Sequence, residues 1–202
     1  MSQTDPYSPP QSSLGGLTPS EQYAKDSGQR YSRFWDRVGA ALIDFLIALP
    51  LMGLNFFFGG ETRLFQLYLL VPVQILTLTM HVYMVVKHGG SPGKMLVGLR
   101  IAKLDGSPAT LKEAALRYSV LWVFGLASAA MTLSAAMGMS EADYAALSYT
   151  ERSVALSEQS PYIFWVGALM QVWVWGNLIT VLANDKRRAL HDFLAGTVVL
   201  RK

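Results

Sequence analysis

VGAALIDFLIALPLMGLNFFFGG, residues 38–60, contains one charged side chain, Asp44, among its twenty-three residues. A helix of about 20 apolar residues is long enough to cross the roughly 30 Å hydrocarbon core of a bilayer. Three more windows of this length, 64–86, 118–140 and 161–183, carry no Asp, Glu, Lys or Arg. The sequence therefore predicts an all-α membrane protein. We expect a four-transmembrane-helix bundle with spans at about 38–59, 64–86, 118–139 and 161–183.

The composition excludes several classes of protein. Charged residues make up 15% of the chain, against about 25% in typical soluble domains, and their segregation excludes both a soluble single-core enzyme and a disordered chain. The absence of cysteine excludes disulfides, thiol chemistry and Cys-ligated zinc or iron–sulfur sites. The net charge of +3 indicates topology and not a nucleic-acid partner, because no basic recognition element accompanies it. The expected partner is the lipid bilayer.

The distribution of Lys and Arg predicts the orientation. The N-terminal segment, the connection between spans two and three, and the C-terminal tail carry 15 of the 17 Lys and Arg residues, and the other two connections carry only Arg63 and Arg152. Because positive charge favours the cytosolic side, both termini are expected there. Residues 1–29 are rich in Ser, Pro, Gly and Gln, which predicts a disordered cytosolic tail before a membrane domain at 30–202.

The connection between spans two and three has the pattern of folded structure. Ser91-Pro92 is typical of an N-cap followed by a first-turn proline, which predicts a short interfacial helix at 93–98. Residues 99–104 alternate apolar and basic side chains, as in a half-buried strand. The β-branched run at 196–200 is a candidate partner. The capping box Thr110-Leu-Lys-Glu113 predicts the start of the helix that leads into span three. We therefore expect a small cytosolic interfacial helix and β-hairpin element.

Asp44 is the sharpest feature of the spans, since a carboxylate at the centre of a membrane helix costs about 2.5–3.5 kcal/mol. Arg37 lies seven residues earlier on the same helix face, about 10.5 Å along the axis. Two interpretations are open at this point. The charges form a cation or proton site, or they form a buried ion pair that fixes helix packing.

A second constellation follows span four. Arg188 and Asp192 are four residues apart and can pair on a helix, although an acid on the C-terminal side is the weaker arrangement. This order favours another partner for Asp192, such as Arg37. The alternative is an ordinary solvated interfacial helix.

Span two carries a polar stripe that includes Gln74, Thr77, His81 and His88. It could line a proton or ion path, since histidine titrates near neutral pH, but interhelical hydrogen bonding is the favoured interpretation. Two histidines without well-placed carboxylates predict no metal site. The stretch around Lys94 only superficially resembles a phosphate loop, because the glycine spacing is wrong and Met95 stands where that motif has Ser or Thr. No cofactor is expected.

Three blocks resemble the RDD family of bacterial integral membrane proteins. They are YSRFWDRVGAALID at 31–44, GSPGKMLVGLRI at 90–101 with Asp105-Gly106, and RALHDFLAGTVV at 188–199. The resemblance maps the arginine and the two aspartates for which the family is named onto Arg37, Asp44 and Asp192. It implies a role in transport, and some members of the family have been proposed as sodium/proton antiporters. It also implies the bacterial plasma (inner) membrane.

Two hypotheses follow. In the first, the protein is a transporter of a cation, with or without proton coupling, or of a small solute. It would use Arg37, Asp44 and Asp192 with support from Arg188, His81, Gln74 and Lys94, and act as a homo-oligomer because four helices leave little room for a pathway. In the second, it is a membrane scaffold or partner-binding protein whose charge cluster is structural. No enzyme is expected, because no nucleophile–base pair is present.

Overall fold

The computed structural model describes residues 30–202. The tail predicted at 1–29 lies outside the described residues. Within the described part, four helices are long and apolar enough to span a membrane, as predicted. They are α1 (Phe34–Phe58), α2 (Phe65–His88), α4 (Leu111–Met137) and α7 (Tyr162–Ala183).

Two of these helices begin earlier than the predicted spans. Helix α1 begins at Phe34, and α4 begins at Leu111 behind a capping box in which Glu113 accepts a bond from the Thr110 backbone N–H. The predicted spans started where charges stop, whereas a helix continues through charged turns until its cap. The start of α4 confirms the helix that the capping box at Thr110 predicts ahead of span three, and the charged residues 112–117 belong to this helix.

Helix α2 changes its winding in its C-terminal half. It is α-helical over Phe65–Leu78, π-helical over Thr79–Tyr83 and α-helical again over Met84–His88. A π-helical turn is rare and occurs most often at functional sites. His81 lies at the centre of this turn.

Outside the four spans, one end of the bundle carries a compact unit that we call the cap. Its sheet has the antiparallel order β1–β3–β2, with a short helix before β2 and another before β3. The elements of the cap are β1 (Arg30–Tyr31), α3 (Pro92–Leu96), β2 (Leu99–Lys103), α8 (Leu190–Ala195) and β3 (Thr197–Arg201).

The sequence pattern predicts that the segments 99–104 and 196–200 pair as strands. They do pair in the sheet, with Ile101 opposite Val199. The expected hairpin is wrong, however, because β3 comes from the far end of the chain and lies between β1 and β2. After the turn at Asp105-Gly106 the chain makes one isolated bridge from Pro108 to Ala102. Proline cannot donate to a ladder, and α4 begins soon afterwards, so a local second strand cannot form.

Buried side chains of the cap pack directly on the spans. Leu99, Ile101 and Val199 form one core with Ala40 of α1 and Val85 of α2. At the opposite end, which we call the distal end, α5 (Glu141–Ala146) and α6 (Tyr149–Gln159) close the bundle. Between the two ends, large apolar side chains of the spans are exposed, as expected for helices solvated by lipid and not by water.

Candidate functional site

Asp44 is buried where α1 meets the cap. Its Oδ2 accepts a hydrogen bond from Ser91 Oγ at 2.5 Å, and its Oδ1 accepts one from the Gly93 backbone N–H at 2.8 Å. Helix α3 can approach this closely because residue 93 is glycine. A Cβ atom there would collide with the Ala40 carbonyl. The carboxylate therefore connects α1 to the first turn of α3.

Lys94 completes the surroundings of Asp44. Its Nζ lies 4.0 Å from Asp44 Oδ2 and donates to Ser91 Oγ at 3.3 Å. Burial, together with the positive charge of Arg117, lowers the pKa of Lys94 to about 8, although Asp44 opposes the shift. The ammonium group can therefore gain or lose its proton close to neutral pH.

Asp192 lies at the centre of a second, fully buried contact set. Its Oδ2 forms an ion pair with Arg37 Nη1 at 2.9 Å, and its Oδ1 forms one with Arg117 Nη1. The Ala189 backbone N–H and the Thr197 hydroxyl also donate to this carboxylate. Burial alone would raise the pKa of Asp192, but Arg117 and Arg37 hold it below its ordinary value. Asp192 is therefore ionised and fixes the cap onto α1 and α4.

The structure does not bring Arg37, Asp44 and Asp192 together in one contact. Arg37 is directed toward the cap, where its Nε donates to Ser32 Oγ at 2.8 Å. Asp44 lies two turns further into the membrane and contacts α3. The predicted partnership of Arg37 with Asp192 is present, whereas a direct Arg37–Asp44 pair is not. The predicted cluster is therefore two neighbouring sites.

Arg188 does not form the side-chain pair with Asp192 that the four-residue spacing allows, in line with the expectation that Asp192 has another partner. Helix α8 begins at Leu190, so Arg188 precedes it and the spacing of residues on a helix does not apply. Arg188 instead donates to the backbone carbonyls of Asp192 at 2.9 Å and Thr197 at 3.1 Å, and its guanidinium lies over the Phe193 ring. Arg188 thus fixes the loop before β3.

Sequence reasoning missed the importance of Arg117. It counted this residue only as one positive charge of a connection, yet its side chain is 8% exposed inside α4 and pairs with Asp192. The capping box at Thr110 contained the necessary signal. A helix starting at Leu111 places Arg117 in its second turn, which is too deep for an ordinary solvated charge.

A cavity of about 410 Å³ adjoins both contact sets. Its polar lining residues are Asp44, His81, Ser91, Lys94, Arg117, Tyr118 and His191. Burial lowers the pKa of His191 well below 6.5, so its imidazole is neutral at physiological pH. Asp44 is the only carboxylate among the lining residues. In residues 30–202, no group of three His, Cys, Asp or Glu is placed to hold a metal ion.

The polar stripe of α2 contacts α4. His81 stacks on Tyr118 with ring centroids 5.2 Å apart, and Gln74 accepts a hydrogen bond from Trp122 Nε1 at 2.6 Å. His88 is exposed near the cap. Interhelical contacts of the favoured type are therefore present, but Gln74 and His81 also line a cavity, described below.

The fold and the buried charges define a multi-span membrane protein whose terminal segments fold back into a cap. The model of the RDD family matches residues 31–196, which is most of the chain. This protein therefore belongs to the RDD family. No curated protein and no solved structure matches the sequence.

Proposed function

We propose that this protein is a transporter that exchanges a cation for a proton at Asp44. The single observation that supports the proposal best is the placement of Asp44 and Lys94, 4.0 Å apart, in the lining of one cavity. Asp44 would bind the cation, and Lys94 would carry the proton. The proposal assigns no enzymatic activity.

The charge balance around Lys94 links the two ions. The charged and titratable side chains around it are Arg37, Asp44, His81, Arg117, Tyr118, His191 and Asp192. Arg37 and Arg117 together carry two positive charges, of which Asp192 neutralises one. The carboxylate of Asp44 neutralises the other. Protonated Lys94 leaves the region positive, so a further cation is repelled. Once Lys94 is neutral, the Asp44 carboxylate can accept a cation in place of the ammonium group.

The available ligands favour a small, hard cation. Asp44 offers carboxylate oxygens and Ser91 a hydroxyl oxygen, and hard cations prefer oxygen ligands. A monovalent ion matches the single charge that Lys94 gives up. A small ammonium-type solute would satisfy the same charge balance and is the competing substrate class.

We also propose the orientation and location. The cap and both termini face the cytosol of a bacterium, across the plasma (inner) membrane, because the positive charges concentrate at that end. Single cysteines near Thr62 and Ser148 should react with an impermeant thiol reagent added outside the cell. Labelling from outside at Asp105 would reverse the orientation. Homo-oligomerisation remains a prediction that cross-linking of the purified protein tests.

Flux through proteoliposomes tests the transport proposal. We expect the wild type to move protons when an alkali cation gradient is applied, and Asp44→Asn to lose this activity. Asp36→Asn is the matched control, since Asp36 is another carboxylate of α1 and its Oδ2 only caps the Arg33 backbone N–H. Activity in Asp44→Asn equal to that of Asp36→Asn, at equal incorporation, contradicts the proposal.

The saturation of both aspartates with donors favours a second candidate function, a non-enzymatic membrane scaffold or partner-binding protein. Asp44 accepts from α3, and Asp192 accepts from the spans and the cap. In this account the charges only hold the cap for a protein partner. It predicts that Asp44→Asn lowers the melting temperature and that the wild type shows no flux for any alkali cation.

A further inference from the structure

Three cavities lie in series along α2. The cavity beside Asp44 shares His81, Tyr118 and Leu121 with a middle cavity of about 370 Å³ between α2 and α4. The middle cavity shares Gln66 with a distal cavity of about 180 Å³ that reaches Arg152 of α6. Each pair of neighbouring cavities therefore adjoins at least one common side chain.

This series is long enough to cross the membrane. Val85 lines the first cavity, and Gln66 lines the last. At about 1.5 Å per residue, the helix between them is about 28 Å long. That length is close to the roughly 30 Å thickness of a hydrocarbon core.

Polar groups follow the whole series. Gln74 and Trp122 bond to each other in the lining of the middle cavity, and Gln66 donates to Asn55 Oδ1 at 2.8 Å in the lining of the distal one. Polar side chains inside a membrane bundle face its interior or water and mark the routes of ions. Each of the three cavities therefore has polar side chains in its lining.

A pair of stacked rings lies where the Asp44 cavity and the middle cavity adjoin. His81 from α2 and Tyr118 from α4 stack with an interplanar angle of 17°, and both line the cavity on either side of them. His81 lies in the π-helical turn Thr79–Tyr83. Converting such a turn to α-helix shifts the register by one residue, which rotates one part of the helix by about 100° relative to the other. That rotation would separate the rings.

We propose that His81 and Tyr118 form the gate of a transmembrane ion path, and that the π-helical turn is its hinge. The identity of the ion rests on the proposed function, whereas the path and the gate rest on the cavities alone. In the closed state described here, the rings separate the Asp44 cavity from the middle cavity. Ions reach Asp44 from the distal end only when the rings part.

Cysteine accessibility tests the gate without any measurement of transport. The chain has no native cysteine, so single cysteines can be introduced at Ala48 in the Asp44 cavity and at Val73 in the middle cavity. A cationic, membrane-impermeant methanethiosulfonate reagent is then added to one side of oriented vesicles. We expect Ala48→Cys to react from the cap side and Val73→Cys to react from the distal side only.

Opening the gate should change the side of access. The Val73→Cys variant should be protected from reagent on the cap side, and adding His81→Ala to it should allow the reaction from that side. Adding Tyr118→Leu should have the same effect and replaces His81→Ala if that variant folds poorly. Val71→Cys is the matched control because its side chain on α2 is 60% exposed and faces lipid. It should stay unreactive in both backgrounds.

Two results would overturn the gate. One is reaction of Val73→Cys from the cap side with both rings intact. The other is continued protection in both ring variants, provided that each keeps the melting temperature of its parent. Absence of flux in a protein with the predicted access would refute the proposed function and leave the gate standing. If the protein transports ions but the cysteine at position 73 stays protected from the cap side in both ring variants, the gate is refuted and the proposed function is not.

Discussion

Asp192→Asn is the perturbation whose effect follows most directly from the structure. The substitution keeps the size of the side chain and removes the charge that faces two arginines. The Asp192 side chain is fully buried, and those of Arg117 and Arg37 are 8% and 12% exposed. Neither guanidinium can therefore regain the hydration that it lost on folding.

The expected cost is large. Removing one partner of a buried ion pair destabilises a protein by about 3–5 kcal/mol, because an uncompensated charge stays buried. Here one carboxylate serves two cations, so we expect the upper part of that range. The pKa of Asp192 is lowered in the folded protein, so its contribution to stability is complete above pH 3.8 and falls only in more acidic solution. Measurement at pH 7 thus captures the whole effect.

Reversible unfolding in detergent micelles, followed by tryptophan fluorescence, measures this cost. Glu141→Gln is the matched control because it breaks the exposed pair with Arg63, whose side chains are 30% and 50% exposed. Exposed pairs contribute about 0–1 kcal/mol. If Asp192→Asn unfolds within about 1 kcal/mol of the wild type, the cap does not depend on this carboxylate and the reasoning fails.

Three further changes test separate contacts. Gly93→Ala pushes α3 away from the Ala40 carbonyl and should lower the free energy of unfolding by about 1–3 kcal/mol, whereas Gly53→Ala, with no neighbour within 4 Å, should lower nothing in the same denaturant titration. Arg188→Met should cost about 1–3 kcal/mol in denaturant unfolding, because it removes the guanidinium donors to the carbonyls of Asp192 and Thr197. Lys94→Met should be more stable than the wild type below pH 8. That difference should shrink from about pH 8 to 10.5 in pH-dependent melts, since there the unfolded chain holds a proton that folded Lys94 has released.

The spans could be predicted because lipid imposes one dominant requirement. Long runs without charge have no other stable solution, so the four helices follow from hydropathy and length alone. The strand at 99–104 was predictable for a related reason. Its alternation of apolar and basic residues fits a sheet with one buried face.

The partners of the charges were not predictable in the same way. The capping box at Thr110 predicts where α4 begins and so places Arg117 in its second turn, but it does not show that Asp192 is the partner of Arg117. The contacts of Asp44 depend on α3 folding back onto α1, which requires glycine at 93. Sequence spacing describes neighbours along one helix and cannot show that Arg37 faces the cap while Asp44 faces α3.

The proposed exchange at Asp44 and Lys94 requires that cation binding releases a proton, which can be measured on the purified protein. Isothermal titration of the purified protein with an alkali cation, in buffers of different ionisation enthalpy, measures how many protons leave per cation bound. The account predicts one proton for the wild type near pH 7, none for Lys94→Met with binding retained, and no binding for Asp44→Asn. Cation binding by Asp44→Asn, or binding by the wild type without proton release, would contradict it.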